Sequence, residues 1–266
     1  MKEAGMIEES HSSYASPVML VKKPDGSFRM VIDYRKLNAQ TVKSNFPMPL
    51  IDDILDEVGG REFYSTFDLA WGYFQIPMSK KSAEKAAFVT TEGHFAPIVM
   101  MMGLSGAPAK FQEVMMRVRA CAGGKQVHPY LDDLITAADE YGEHLEQIRN
   151  VLEALKQAGL TVRLSKCRFF MKSVQFLGFR VSREGIQPGR KKLLAVEEFQ
   201  RPTNVHEVRR FLGLTSFFRR FVPRYASIAN PLTLLLRKDA KFEWSLKCEI
   251  AFEQLKKTLV EEPTLD

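Results

Sequence analysis

Tyr130-Leu131-Asp132-Asp133-Leu134-Ile135 sets two apolar flanks around adjacent carboxylates, the pattern of a tight hairpin with acids at its tip. Like charges side by side in an apolar setting are costly unless cations neutralise them. A surface turn, where Asp is common, is the plain alternative, and for an isolated acidic pair it is the default. The apolar flanks on both sides and the tyrosine shift that weighing, but only the wider context settles it. Residues 63–68 (FYSTFD) read as a strand that ends on the carboxylate of Asp68. Acids converging from separate elements are what two-metal phosphoryl transfer requires, with two Mg²⁺ ions ~3.5–4 Å apart on hard oxygen ligands.

Outward from this centre, the chain alternates strands and helices as far as about Val181. Residues 17–23 (PVMLVKK) and 27–33 (SFRMVID) form a predicted hairpin turning at Pro24-Asp25-Gly26. A short helix is expected over 49–58, with Leu50, Ile54, Leu55 and Val58 on one face and Gly59-Gly60 as its stop. Pro108 opens another helix carrying Phe111, Met115 and Val118, broken at 121–125 (CAGGK). Leu145, Ile148, Leu152 and Leu155 mark an amphipathic helix capped by Gly159. Residues 168–171 and 174–181 read as a second hairpin turning at Lys172-Ser173. Beyond Pro188 helices dominate, and Asn204 with Glu207 has the spacing of a capping box for a helix bearing Val208, Phe211 and Leu212. The sum is an α+β domain followed by a helical one.

The 266 residues, 45% apolar and 26% charged, suffice to bury a core without disulfides or metals. Cys121, Cys167 and Cys248 are odd in number and widely spaced, which argues for a reducing compartment and against structural zinc. No stretch approaches the ~20 apolar residues of a membrane span, and the first ten residues are polar rather than a signal core. The net charge is +6, and its distribution says more than its size. Acids dominate 130–153, where Arg149 stands alone among them, while bases dominate 163–224. A basic half beside an acidic focus suits a metal-using protein that binds polyphosphate. Solvated helix faces would give the same charge pattern.

Tyr130-Leu131-Asp132-Asp133 resembles the Y-x-D-D box of reverse transcriptases, and Phe67-Asp68-Leu69 followed by Gly72-Tyr73 resembles their upstream box. Residues 14–38 (YASPVMLVKKPDGSFRMVIDYRKLN), 103–112 (GLSGAPAKFQ) and 211–221 (FLGLTSFFRRF) resemble the polymerases of gypsy-type LTR retrotransposons. One four-letter box is weak, but five in family order across nearly the whole chain are specific. The resemblance implies an α+β right-hand polymerase. Fingers would occupy about 1–60 and 74–102, the palm about 61–73 and 103–182, and a helical thumb and connection 183–241. Residues 242–266 would begin a linker toward an absent ribonuclease H domain, and the start of the chain falls late relative to the family.

The implied activity is RNA-directed DNA polymerisation, addition of dNMPs to a primer 3′-hydroxyl. Asp68, Asp132 and Asp133 would hold two Mg²⁺, with Mn²⁺ as a substitute and Asp133 the less direct ligand. Lys22, Lys23, Arg29, Tyr73, Met102 and Lys166 would contact the dNTP, Arg29 through its planar donor fork and Tyr73 by blocking a ribose 2′-hydroxyl. Tyr130, Phe176, Leu177, Gly178, Arg209, Arg210, Arg219 and Arg220 would contact primer and template. Arg209 and Arg220, eleven apart, are expected on one helical face. Implied partners are an RNA or DNA template with its primer, dNTPs, and the ribonuclease H, integrase and protease modules of a polyprotein, with no membrane. The implied setting is cytoplasmic and reducing, within virus-like particles.

Several positions depart from the family. Met100-Met101-Met102-Gly103 stands for a usual Met-Pro-Phe-Gly, Gly106 for Asn, Ala96-Pro97 for a Glu-Phe-like pair, and Trp71 for a small residue. Residues 119–124 (RACAGG) replace a more apolar helix end. Pro129, where a β-branched residue is usual, removes a donor from the strand that presents the aspartates. Two readings follow: a working polymerase with intact ligands, or a retroelement remnant that binds nucleic acid without turnover.

Overall fold

The computed structural model describes every residue except Pro24, Asp25, Lys43, Asp239, Glu262, Pro263 and Asp266. The chain divides into two compact units, one of residues 1–50, 65–136 and 141–169, the other of 51–64, 137–140 and 170–266. Among the described residues no helix is long and apolar enough to cross a membrane.

In the first unit, strands β1 (Ile7–Glu9), β2 (Ser16–Lys22), β3 (Phe28–Ile32), β5 (Phe88–Thr90) and β6 (Gly93–Pro97) form a sheet in the order β1-β6-β5-β2-β3. The β2–β3 pairing runs from Val18↔Ile32 to Lys22↔Phe28, as expected, while the Pro24-Asp25 part of its turn lies outside the described residues. Tyr34 donates its buried hydroxyl to the Ala86 carbonyl, and Ile32, Phe88 and Met101 pack around it. Helices α1 (Arg35–Gln40) and α3 (Lys80–Lys85) flank this sheet in sequence.

Strands β4 (Phe63–Asp68), β7 (Val127–Tyr130), β8 (Asp133–Ala138) and β9 (Arg168–Met171) make a second sheet, ordered β7-β8-β4-β9. Helices α4 (Ala107–Cys121) and α5 (Tyr141–Gln157) pack together in the same unit. α4 buries Phe111, Met115 and Val118 as its spacing predicts. α5 buries a face rotated from the predicted one. His144, Gln147, Ile148, Val151 and Leu155 are inside, while Leu145 and Leu152 are exposed. Polar side chains can go inside because partners wait there: Ser65 meets His144 at 2.7 Å, and Thr136 bonds Gln147. Gly159, at φ 69, ends α5 as expected. Its N–H reaches the Lys156 carbonyl and that of Leu160 reaches Leu155, the paired bonds of a Schellman motif.

The second unit contains α2 (Ile51–Val58), the meander β10 (Ser173–Phe176), β11 (Phe179–Ser182) and β12 (Gly185–Pro188), and helices α6 (Arg190–Glu197), α7 (Val205–Ser216), α8 (Tyr225–Leu234) and α9 (Leu246–Val260). The expected hairpin between 168–171 and 174–181 does not form. β9 joins β4's sheet, and 174–181 folds into two strands because Leu177 (φ 48) and Gly178 (φ 89) are both left-handed. That pair of angles is the signature of a two-residue hairpin turn, closed here by Phe176↔Phe179. Phe179 then packs on Phe217, Phe218 and Phe221 at centroid distances of 4.9, 5.7 and 6.0 Å. Asn204 caps α7 by accepting from the Glu207 N–H, and the Glu207 carboxylate reaches back to Thr203.

Candidate active site

β4 and β8 are neighbours in their sheet, so the end of one and the start of the other bring Asp68 and Asp133 to the same edge. The β7–β8 turn carries Asp132 beside Asp133. Tyr130 pairs with Asp133, leaving Leu131 and Asp132 as the loop, with Leu131 at φ 53. Two-residue hairpin loops need a positive φ at their first central position, and a leucine there stores strain. The Leu69 N–H approaches the Asp132 carbonyl at 3.4 Å, tying the turn to the residue after Asp68.

The electrostatics show the carboxylates crowding one another. The Asp133 carboxyl is pushed up to about 6, first by desolvation, then by the negative charges of Asp132 and Asp68, with Lys166 opposing. Asp133 keeps a solvent-exposed edge although enough protein surrounds it for desolvation to lead. Lys166 Nζ lies 3.4 Å from Asp68 Oδ2. Gly72 has φ 40, and a Cβ added to it would meet Asp132 Cβ and Oδ2 at 3.7 and 3.8 Å, so glycine keeps the space in front of Asp132 open. Tyr73 sits edge-on to Phe111 at 5.2 Å, and its hydroxyl is raised by burial and by Asp132. It fills core and borders the carboxylates at once.

Two amides outside the expected site residues hold this geometry. Gln112 on α4 is fully buried. Its Nε2 donates to the Pro129 carbonyl (3.1 Å) and its Oε1 accepts from the Leu131 N–H (2.8 Å). Gln75 clamps Thr161 three times, accepting from its N–H and hydroxyl and donating to its carbonyl. This fixes the 161–163 segment beside residues 68–70, where Ala70 and Arg163 donate backbone bonds to Thr161 and Asp68. The sequence signal for Gln112 was its place at the end of the 103–112 segment; Gln75 carried none.

Two of the departures from the expected motifs, Pro129 and the methionine run, are absorbed. Pro129 pairs with Leu134 one step from the closing Tyr130↔Asp133 pair. Bonded and non-bonded pairs alternate in an antiparallel ladder, so Pro129 falls on a non-bonded pair of an edge strand. Its carbonyl, turned to Gln112, agrees. No ladder bond is lost. Met100 and Met101 are buried, and Met102 is exposed. The loop before α4 is pinned by Asn38, which donates to Gly103 O and accepts from Ser105 N.

The remaining expected site residues are spread more widely. Lys22, Lys23 and Arg29 stand exposed at the β2–β3 hairpin, and none forms an ion pair with Asp68, Asp132 or Asp133. In the second unit, Phe176, Leu177 and Gly178 make the β10–β11 turn. Arg209 and Arg219 are exposed, and Arg210 lies over the Phe199 ring. The expected shared face for Arg209 and Arg220 is corrected: α7 ends at Ser216, and Arg219–Phe221 is a separate 3-10 turn. Arg220 bonds Asp52 (3.1 Å) and Asp56 (2.7 Å) on α2, so its guanidinium is already engaged.

Among the described residues no three acidic, histidine or cysteine side chains are gathered as a preformed metal site. Mg²⁺ commonly takes one or two protein carboxylates and completes its shell with waters and substrate phosphates. Hard oxygens, mutual repulsion at Asp133 and the open space kept by Gly72 therefore fit divalent magnesium.

A family model described as "Reverse transcriptase (RNA-dependent DNA polymerase)" matches residues 21–181. The retrovirus-related Pol polyprotein from transposon 297 of Drosophila melanogaster is 41% identical over the whole chain, which spans 26% of that protein. The transposon Tf2-3 polyprotein of Schizosaccharomyces pombe is 34% identical over 99% of the chain and 20% of its own length. The chain thus spans about a quarter or less of these relatives. Among solved structures, a foamy viral protease-reverse transcriptase in complex with double-stranded DNA superposes with a TM-score of 0.91 at 26% identity, covering 100% of this chain and 47% of that one. A complex of the foamy viral enzyme with an RNA/DNA hybrid gives 0.87, also at 26% identity, over 98% and 36%. The expected right-hand polymerase fold is borne out by this likeness.

Proposed function

The chain belongs to the reverse transcriptase family, with transposon polyproteins as its relatives, and on that premise we propose that it is the polymerase part of a gypsy-type retrotransposon polyprotein. It adds dNMPs to a primer 3′-hydroxyl under the direction of an RNA or DNA template. The observation that carries this reading is the meeting of Asp68, Asp132 and Asp133 at one sheet edge, with Lys166 opposing their charge.

Asp68 and Asp132 would hold two Mg²⁺ directly, or Mn²⁺ in their place, with Asp133 supporting. When bound, the ions would activate the attacking 3′-oxygen and stabilise the leaving pyrophosphate. The protein's own part is positioning. Lys166, which pairs with Asp68, would neutralise phosphate charge at this edge. The Trp71 and Gly72 N–H groups, both on left-handed residues, have no acceptor among the described residues and suit phosphate oxygens. Tyr73 stands where a ribose 2′-hydroxyl would clash, Met102 borders the nucleotide, and Lys22, Lys23 and Arg29 close over its triphosphate. Tyr130 and the Phe176-Leu177-Gly178 turn support the primer end. Arg209, Arg210 and Arg219 supply salt-sensitive contacts to backbone phosphate, whereas Arg220 braces α2. Fingers over about 1–60 and 74–102, a palm over about 61–73 and 103–182, and a helical thumb and connection over 183–241 are part of this proposal. Ribonuclease H, integrase and protease modules of the same polyprotein are the proposed partners, in a reducing cytoplasmic setting that suits the free thiols of Cys121, Cys167 and Cys248.

The accommodation of Pro129 and the methionine run favours a working enzyme over a silent remnant. Primer extension on an RNA template with Mg²⁺ and dNTPs tests it. Extension by the parent and none by Asp132→Asn is expected. An Asp132→Asn protein that extends as well as the parent would sink the assignment.

A further inference from the structure

Trp71 combines three features that packing does not explain. It is 61% exposed. Its backbone is left-handed, at φ 62, a conformation that strains a bulky residue. The Arg163 guanidinium lies 5.9 Å from the ring centroid. The setting is rigid, because the Leu69↔Val162 bridge and the Arg163 N–H bond to Asp68 O lock the two segments together. Lys166, three residues beyond Arg163, reaches Asp68. An open indole, two cations and a carboxylate edge therefore share one patch.

An exposed indole beside cations is a stacking platform for a nucleobase whose phosphates find the cations. We propose that Trp71 and Arg163 form an entry subsite at which a nucleoside triphosphate docks, its base stacked on the indole and its phosphates on Arg163 and Lys166, before the base pairs with template. The subsite rests on the polymerase reading for its ligand class, but its occupation needs neither template nor turnover. Every base has a π-face, so the platform accepts all four nucleotides and favours purines by area.

Trp71 is one of two tryptophans in the chain, so Trp244→Phe leaves it as the sole indole reporter. The Trp244→Phe protein, without primer or template, is titrated with dGTP, dCTP and inorganic tripolyphosphate in Mg²⁺. Saturable quenching by dGTP, weaker quenching by dCTP and none by tripolyphosphate are expected. Trp71→Gly, a residue at home at positive φ, should lower calorimetric dGTP affinity about 5- to 100-fold, the equivalent of roughly 1–3 kcal/mol of stacking. Trp71→Tyr, which keeps a ring face, should retain most of it. In primer extension Trp71→Gly should raise KM for all four dNTPs, and Trp71→Tyr should restore it. Equal affinity for dGTP and tripolyphosphate, or unchanged dGTP binding in Trp71→Gly, overturns the subsite. Stacking without primer extension by the parent would refute the polymerase reading and leave the subsite standing. Extension with an unchanged KM in Trp71→Gly would do the reverse.

Discussion

Replacing Gln112 by methionine keeps the volume of a fully buried side chain and removes both of its hydrogen bonds. The Leu131 N–H and the Pro129 carbonyl then lose their partners at the turn that presents Asp132. Pro129 is buried and Leu131 half-buried. A buried group left unsatisfied costs about 1–3 kcal/mol, so the pair should cost about 2–4 kcal/mol, the lower part from the wetter Leu131. With a denaturant slope of about 3 kcal/mol/M, the urea midpoint should fall by about 1 M. Leu131 at φ 53 is held partly by this clamp, and its release should let the aspartates drift. A shift of about 1 Å in a catalytic group can reduce turnover ~100-fold. Extension assays should therefore show a fall in kcat well beyond any change in KM. Gln112→Glu keeps an acceptor for Leu131 and should fall between. A midpoint shift below about 0.2 M for Gln112→Met would refute the reasoning, because it would mean that water or a relaxed turn satisfies both groups.

Asp133 titrates near 6 in the fold and at its ordinary lower value when unfolded. The folded state therefore retains a proton that the unfolded chain has lost, and stability of the metal-free protein declines as pH rises from about 4 to 6. Asp133→Asn should remove that decline and add up to about 1 kcal/mol above pH 6, solvent screening reducing the full value; thermal melts across pH, with and without Mg²⁺, check it. Gly106 has a right-handed backbone, and a Cβ added to it would meet nothing within 4 Å. Gly106→Ala should stabilise by about 0.4–1 kcal/mol through the unfolded chain, read as a higher Tm. Arg220→Ala should lower stability and leave the salt dependence of template–primer binding nearly unchanged, since Asp52 and Asp56 already hold the guanidinium. Arg219→Ala should instead reduce that salt slope by about 1.

Local rules determined much of this protein from sequence alone. The strand ending at Asp68, the hairpin around Asp132, the cap at Asn204 and the end of α5 at Gly159 were legible because each depends on a few adjacent residues and their turn chemistry. The acid pair did not declare itself in one short stretch, since alone it reads as a surface turn; five boxes in family order were needed to single it out. Tertiary structure decided what polar side chains do when their partners are distant in sequence. His144 and Gln147 turned inward because Ser65 and Thr136 await them. Pro129 proved harmless because β7 is an edge strand and Gln112 takes its carbonyl. Arg220 found acids on α2, and β9 found β4 rather than β10. A hydrogen bond or ion pair is set by proximity in space, and periodicity along the chain holds no record of which element will arrive opposite.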